Sequence, residues 1–504
     1  MKQILISTSI AIVVLLAFPQ NNKAQDSLQT NLTFEELLSV GFKQSHVIKQ
    51  TAFLKEQKQM DLKASRGIQF PRLDLNANFI QMSDDLHLDL NPVKDAITPL
   101  YQSLSTYGSF SGVPNPAGGV LPDNISTQVM RGKLAEGLET INSANWDEMI
   151  QKKQFATVNL MATWPIFTGG KIKASKSAAR LGVEDIAYVS SEKNNQLISE
   201  LVERYFGLCL ARQAEHVREE VLKVMQEHLN DAQKMKNEGI VANAELLHAK
   251  VYYSESEREF KKAIRFSTIT NRALINSIGQ TEEIQINPLS ELFYLEEIES
   301  IEYFRQEAEK NNPQLKQIES KKSLAEIGVK VETANYLPTV ALMGTYDVVN
   351  MDLSPYVPKW IVGIGLKWTI FDGTERLHKR KSAQMKVEQV NEFQQKANND
   401  VQTGIEKYYQ EIQMSLEQIQ ELNTANEFAE EYFRARQNAF HEGMSTSTEV
   451  VDAKLMLVKV KIEKLQSVYN FDVSLAKLLE LCGLSENFIS YQKNPKSIIE
   501  TFHN

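Results

Sequence analysis

The sequence predicts an α+β membrane protein built by internal duplication, each copy holding two strands followed by a helical hairpin of unusual length. Three observations lead there. Trp164–Ala179, WPIFTGGKIKASKSAA, returns as Trp368–Ala383, WTIFDGTERLHKRKSA, at an offset of 204 residues (368 − 164). Apolar and polar residues alternate with period two just before each of these junctions and again upstream, as strands with one apolar face do. After each junction, Lys171–Glu238 and Glu375–Glu442 contain no Pro. Roughly 68 residues at about 1.5 Å each would reach on the order of 100 Å.

The chain opens with MKQILISTSIAIVVLLAFPQNNKAQ, where Lys2 precedes an apolar run from Ile4 to Phe18 and Ala24 precedes Gln25. This is the layout of a secretory signal peptide over residues 1–24. The alternative, a retained anchor, would need a run of roughly 20 residues. A helix is expected from Thr33 to Arg66, with Thr33 and Glu36 spaced as a capping box. Pro71 ends it. Leu73, Leu75, Ala77 and Phe79 then alternate with Asp74, Asn76 and Asn78 in a strand at about 72–82. Its partner, about 157–167, alternates Val158, Leu160, Ala162, Trp164 and Ile166 with Asn159 and Thr163. The second copy places strands at about 339–350 and 361–371. Each is close to the 9 to 11 residues that a tilted strand needs to cross a bilayer. A soluble sheet would show the same alternation; the export signal and the long helices favour the membrane.

Upstream of the first strand pair the offset becomes 267, pairing Pro71, Leu73, Leu75 and Phe79 with Pro338, Val340, Leu342 and Tyr346. The difference of 63 residues (267 − 204) is extra chain in the first copy, an insertion at 83–154. In it, Ser111–Asp123 has loop composition and Gln128–Glu148 is a candidate short helix.

In the second long helix Val401, Ile405, Tyr408, Ile412, Ser415, Ile419 and Leu422 step alternately by four and three. A seven-residue period specifies left-handed coiled-coil packing. Val451, Leu455, Val458, Ile462, Leu465 and Tyr469 repeat the step on a returning helix. Gly239 and Gly443 therefore mark the tips of two hairpins, 171–279 and 374–482. Gln280–Ser300, with Pro288, is a connector, and 485–504 is a polar tail ordered only if something holds it. The first repeat thus covers 25–300 and the second 301–484.

Composition narrows the function. A net charge of −9 argues against a nucleic-acid partner, which favours a basic stripe. Cys209 and Cys482, the only two cysteines, form no disulfide framework and read as buried apolar residues. The sequence holds no phosphate loop, no HExxH and no CxxC pair, so no catalytic, metal or cofactor residue is assigned and the protein reads as no enzyme.

The doubled junction, NPQL at Asn312–Leu315, YLP at Tyr336–Pro338 and EGMSTSTEVVDAK at Glu442–Lys454 together resemble the TolC family of outer-membrane efflux channels over nearly all of the mature chain. Ser45-His46 departs from that pattern where the second copy has Asn312-Pro313, and no lipid-anchor Cys follows the apolar run. The resemblance implies a homotrimer whose chains each give four strands to one twelve-stranded β-barrel in the outer membrane, with helices forming a tunnel through the periplasm. Physics also requires closure in lipid, since an open sheet leaves edge groups unpaired there.

The resemblance further implies a passive exit duct for small toxic compounds, fed by an inner-membrane pump of RND or ABC type. A periplasmic adaptor would meet the tips at Gly239 and Gly443. Trp164 and Trp368 would belong to the aromatic girdle at the barrel's interface with lipid headgroups. Glu449 and Asp452, six and nine residues beyond Gly443, with Glu245 and His248 at the equivalent first-copy positions, would line the periplasmic aperture as stacked rings. Charged coiled-coil flanks are the plain alternative for these four. Phe440 and Ser445 stand where relatives close the tip with a hydroxylated aromatic residue and an Arg. Two other functions fit the same residues: a type I protein-secretion channel, or a periplasmic coiled-coil scaffold that never inserts.

Overall fold

A computed structural model of the chain describes residues 29–280 and 284–501; the expected signal peptide lies outside them. In chain order the elements begin with β1 (Gln29–Leu32), α1 (Phe34–Gln44), α2 (His46–Gly67), β2 (Arg72–Gln81), β3 (Leu86–Asp89), α3 (Asn91–Tyr107), α4 (Asp123–Ser143), β4 (Asp147–Gln151) and β5 (Gln154–Phe167). The hairpin α5 (Lys171–Asn237) and α6 (Asn243–Ser277) follows, then β6 (Gln285–Pro288) and β7 (Leu292–Tyr294). The second copy comprises α7 (Ile301–Asn311), α8 (Pro313–Ala334), β8 (Thr339–Met351), β9 (Trp360–Lys367), α9 (Glu375–His441) and α10 (Ser447–Cys482). A short turn leads to α11 (Phe488–Gln492) and β10 (Ile498–Glu500).

The duplication is visible in the element bounds. Both ends of α1 and of α2 map onto α7 and α8 at the offset of 267, and both ends of α5 map onto α9 at 204. Caps repeat too. Thr33 forms a capping box with Glu36, and Ser300, its equivalent, accepts a hydrogen bond from Tyr303 N at 3.4 Å. The expected single helix from Thr33 to Arg66 is two helices broken at Ser45, whose backbone is extended (φ −51°, ψ 126°). Asn312 breaks the second copy at the same point, where Pro313 forces it. No Pro marks the first break, so the sequence hid it.

The chain folds into two compact units, with α2, α5, α8 and α9 contributing residues to both. One unit is helical and holds the main apolar core. Phe34, Tyr205, Phe206, Phe293 and Phe488 meet there with ring centroids 5.3–6.2 Å apart. Tyr205 hydroxyl donates to Leu32 O and accepts from Ser290 N, both at 2.8 Å. The connector is therefore more than a link: β6 pairs in parallel with β1, β7 pairs with β10, and Asn271 bonds both Ile284 O and Ile286 N at 2.9 Å. The tail is held as well. Phe488 is fully buried, and Lys464 pairs with Glu500 at 2.8 Å with both side chains largely enclosed. Four apolar residues, Phe488, Ile489, Tyr491 and Ile498, were the overlooked signal in a stretch read as polar.

The other unit carries the four-stranded sheet, order β2-β5-β8-β9, antiparallel throughout, and the insertion. The insertion is more ordered than loop composition suggested: β3 pairs with β4, and α3 packs on α4, which lies five residues earlier than the expected Gln128–Glu148 helix. Gln151 and Lys152 fasten it to the β8–β9 turn, through Asp352 O at 2.8 Å and the Asp352 carboxylate at 2.5 Å. β9 stops at Lys367, short of the expected 371, so Trp368 lies just past the strand whereas Trp164 lies within β5.

Candidate functional site

Strand register puts directly opposed residues on one face of a sheet. The pairing Leu75↔Leu160↔Tyr346↔Trp360 therefore defines one row, and Leu73↔Ala162↔Gly344↔Val362 the next. The rest of that face holds Ala77, Phe79, Val158, Trp164, Val340, Leu342, Ile364 and Leu366, and its polar pair is Gln81 and Gln154 at the far end of β2 and β5. It is also open: Leu73, Leu75, Phe79, Trp360, Val362, Ile364 and Leu366 are 62–75% exposed. Arg72, Asp74, Asn76, Asn159, Thr163, Thr345 and Lys367 lie on the opposite face. A soluble sheet buries its apolar face, whereas a lipid-facing strand shows it outward. The edges β2 and β9 are unpaired in the single chain, so the sheet is an open segment here.

Each Trp of the doubled junction has a structural partner. Trp164 Nε1 donates to Gln69 O at 2.9 Å and Trp368 Nε1 to Tyr336 O at 3.1 Å, and the two acceptors are themselves 267 apart (336 − 69). Both indoles so tie the end of a strand pair to the segment leading into it. Gly169 and Gly170 turn the chain into α5 with φ of 64° and 97°; Gly373 and Thr374 do the same before α9 with 63° and 73°. At the second junction Arg376 holds the turn by donating to the Asp372 carboxylate at 2.6 Å, and to Asn335 O and Ile370 O, both at 3.2 Å.

At the hairpin tips Gly239 and Gly443 take φ of 76° and 72°, and the following N–H closes back onto the helix at 2.8 Å in both copies (Ile240 to Met235 O, Met444 to Ala439 O). Three of the four predicted aperture residues gather at one place, the N-terminus of α10. Glu449 is not a free carboxylate: it forms a capping box with Thr446, accepts from Ser445 Oγ at 2.6 Å, and lies 3.7 Å from Arg436. The Ser445 hydroxyl, then the Thr446 N–H, hold its carboxyl below the ordinary range. Glu245 accepts from Ser447 N at 3.3 Å, and His248 Nδ1 lies 3.2 Å from Thr448 Oγ1. Asp452 stands apart, exposed on the next turn.

The sequence reading missed His228. Its Nε2 lies 2.5 Å from Ser447 Oγ and its ring centroid 4.7 Å from that of Phe440. Phe440, without a hydroxyl, thus anchors the tip by packing. A polar residue in the seam of Val217, Val221, Met225 and Ala232 was the available clue. Among the described residues no group of three His, Cys, Asp or Glu is placed to hold a metal ion, and no helix is long and apolar enough to cross a membrane.

The whole arrangement is the fold of outer-membrane channels. A membrane protein from Pseudomonas aeruginosa matches with a TM-score of 0.67 at 12% identity, over 89% of this chain and 90% of that one. The outer membrane protein VceC from Vibrio cholerae matches at 0.64 and 14%, over 89% and 96%. The Campylobacter jejuni CmeC outer membrane channel matches at 0.61 and 15%, over 92% and 89%. In sequence, residues 304–484, most of the second copy, match the model of the outer membrane efflux protein family, and the resemblance to TolC-type channels stands. Proteins of this kind are passive channels, not enzymes. No curated protein matches the chain in sequence.

Proposed function

We propose that this protein is the outer-membrane exit duct of a tripartite efflux system, assembled as a homotrimer. The observation that supports it most is the predominantly apolar, exposed face of an open four-stranded sheet whose strand pairs each precede a long helical hairpin. Three such sheets closed edge to edge satisfy both bare edges, β2 and β9, in lipid. Eight strands from two chains would leave an interior filled by side chains, whereas twelve leave a lumen. The mature chain then divides into repeats 25–300 and 301–484 and a tail at 485–504, of which residues 485–501 strap the helical core. The helices lie in the periplasm, Trp164 and Trp368 at the membrane interface, and the tips at Gly239 and Gly443 receive the adaptor of an RND or ABC pump.

The aperture lies at those tips. Asp452 contributes the lumen-facing anionic ring, while Glu449, Glu245 and His248 set the angle of α10 through its N-terminus. Purified in detergent, the protein should run as a trimer and conduct ions in planar bilayers. A chain that stays in the aqueous fraction and conducts nothing ends this reading. Asp452→Asn should weaken block of that current by multivalent cations, and an unaltered block would remove Asp452 from the aperture.

A further inference from the structure

The cations of this acidic chain are unevenly placed. Overall it holds 55 Lys and Arg against 64 Asp and Glu. The twelve residues that open α5, 171–182, contain four Lys or Arg and no carboxylate; the twelve that open α9, 375–386, contain five and one. The helices gain nothing from this, since cations in a first turn oppose the macrodipole. Lys171 and Lys173 stand in the first turn of α5 with no acidic residue beside them. Arg376 and Lys379 are answered by Asp372 and Glu375, whereas Lys171, Lys173, Lys176, Arg380 and Lys381 form no ion pair among the described residues.

Shared contacts set these cations level with the two tryptophans. Lys176 Nζ donates to the side chain of Gln69, the residue whose carbonyl accepts from Trp164. The Arg376 and Arg380 guanidinium groups lie 5.0 and 5.9 Å from the ring of Tyr336, whose carbonyl accepts from Trp368. Lys176 and Arg380 are equivalents at the offset of 204, as Gln69 and Tyr336 are at 267. Each copy therefore keeps one cation beside its indole. Between the strands and the helices, Ile166, Phe167, Ile370 and Phe371 are exposed. The order along each junction is thus apolar sheet face, indole and exposed apolar residues, then cations. From Lys171 to Arg180, α5 rises only about 14 Å. A headgroup layer is roughly 5–7 Å deep on each side of a bilayer, and charges act about 8 Å beyond it at physiological salt.

We propose that Lys171, Lys173, Lys176, Arg380 and Lys381 form a basic collar that binds the phosphate headgroups of anionic phospholipids, in the leaflet on the helix side of the membrane. The occupant is lipid because the collar continues directly from the apolar sheet face, and it is anionic lipid because the cations there lack carboxylates of their own. Clusters of Lys and Arg just beyond a spanning segment hold anionic headgroups in this way. The inference rests on the duct reading and adds to it the lipid class and the residues that select it.

Lipid titration of the full chain, purified in detergent as a trimer, tests it. Phosphatidylglycerol should raise the temperature at which the trimer falls apart on a semi-native gel, whereas phosphatidylcholine and inorganic phosphate should leave it unchanged. With Lys171→Gln, Lys173→Gln and Lys381→Gln combined, half of that rise should need on the order of tenfold more phosphatidylglycerol or beyond, because each cation near an anionic surface is worth roughly fivefold in affinity. Lys223→Gln, Lys250→Gln and Lys459→Gln combined, remote in sequence from both junctions, should match the native chain. A rise that phosphatidylcholine or inorganic phosphate reproduces, or a first triple variant that responds like the native chain, overturns the collar and leaves the duct reading intact. A chain that is monomeric in detergent overturns both.

Discussion

Thr374 carries a β-branched side chain at φ 73°, where its first-copy equivalent is Gly170 at φ 97°. A β-branched residue in the left-handed region is strained, and Gly removes that strain while adding freedom to the unfolded chain. Thr374→Gly should stabilise the protein by about 1 kcal/mol net, seen as a raised thermal midpoint, and a lowered midpoint would refute the strain. Asp472 shows a second kind of tension. It is fully buried, with one oxygen accepting from Phe293 N at 3.5 Å and the other unpartnered, and burial pushes its carboxyl well above the usual range. Unfolded, that carboxyl ionises near pH 4. As pH rises from there through the raised folded value, the unfolded state gives up its proton first and stability falls. Asp472→Asn should therefore gain more in thermal midpoint over the native chain at about pH 8 than at about pH 4. Neither residue announced itself in sequence, because strain and desolvation depend on where the fold puts a side chain.

At the scale of elements, the tip of the second hairpin is held by His228, Glu245 and His248 converging on the first turn of α10. Burial lowers the pKa of His228 from its ordinary value, with Asp231 and Glu245 opposing and His441 and His248 reinforcing the shift. A depressed His contributes stability that is present above about pH 6.5 and lost as pH falls through its folded value. Amide exchange at Ser447–Val451, corrected for intrinsic rate, should quicken between about pH 7 and about pH 5, and His228→Asn should flatten that dependence. The hairpins, their Gly tips and the strand faces were legible in sequence because period seven and period two are written in apolar residues. The break at Ser45 was not, since no Pro marks it. The early end of β9 at Lys367 was equally hidden, because Ile370 and Phe371 continue an apolar run while standing 82% exposed.

For the whole molecule, the outward apolar face is the property on which the proposed trimeric duct turns. Ile364 lies in the middle of β9 on that face, and Thr345 lies on the opposite one. Ile364→Arg should cost about 2–4 kcal/mol in the membrane and deplete trimer from the outer-membrane fraction, whereas Thr345→Arg should leave its yield unchanged. Equal yields from the two variants would contradict the assignment of faces. The candidate aperture was legible only in part. Glu449, Glu245 and His248 could be placed near the tip from their distance to Gly443 and Gly239, but spacing could not show that Glu449 caps its own helix. Asp452 carries no such tie.

Phe488 sits among Phe34, Phe206 and Phe293, at centroid distances of 5.6, 5.7 and 5.6 Å. Segments 454 residues apart (488 − 34) thus share one aromatic cluster, so losing α11 would open the packing around α1.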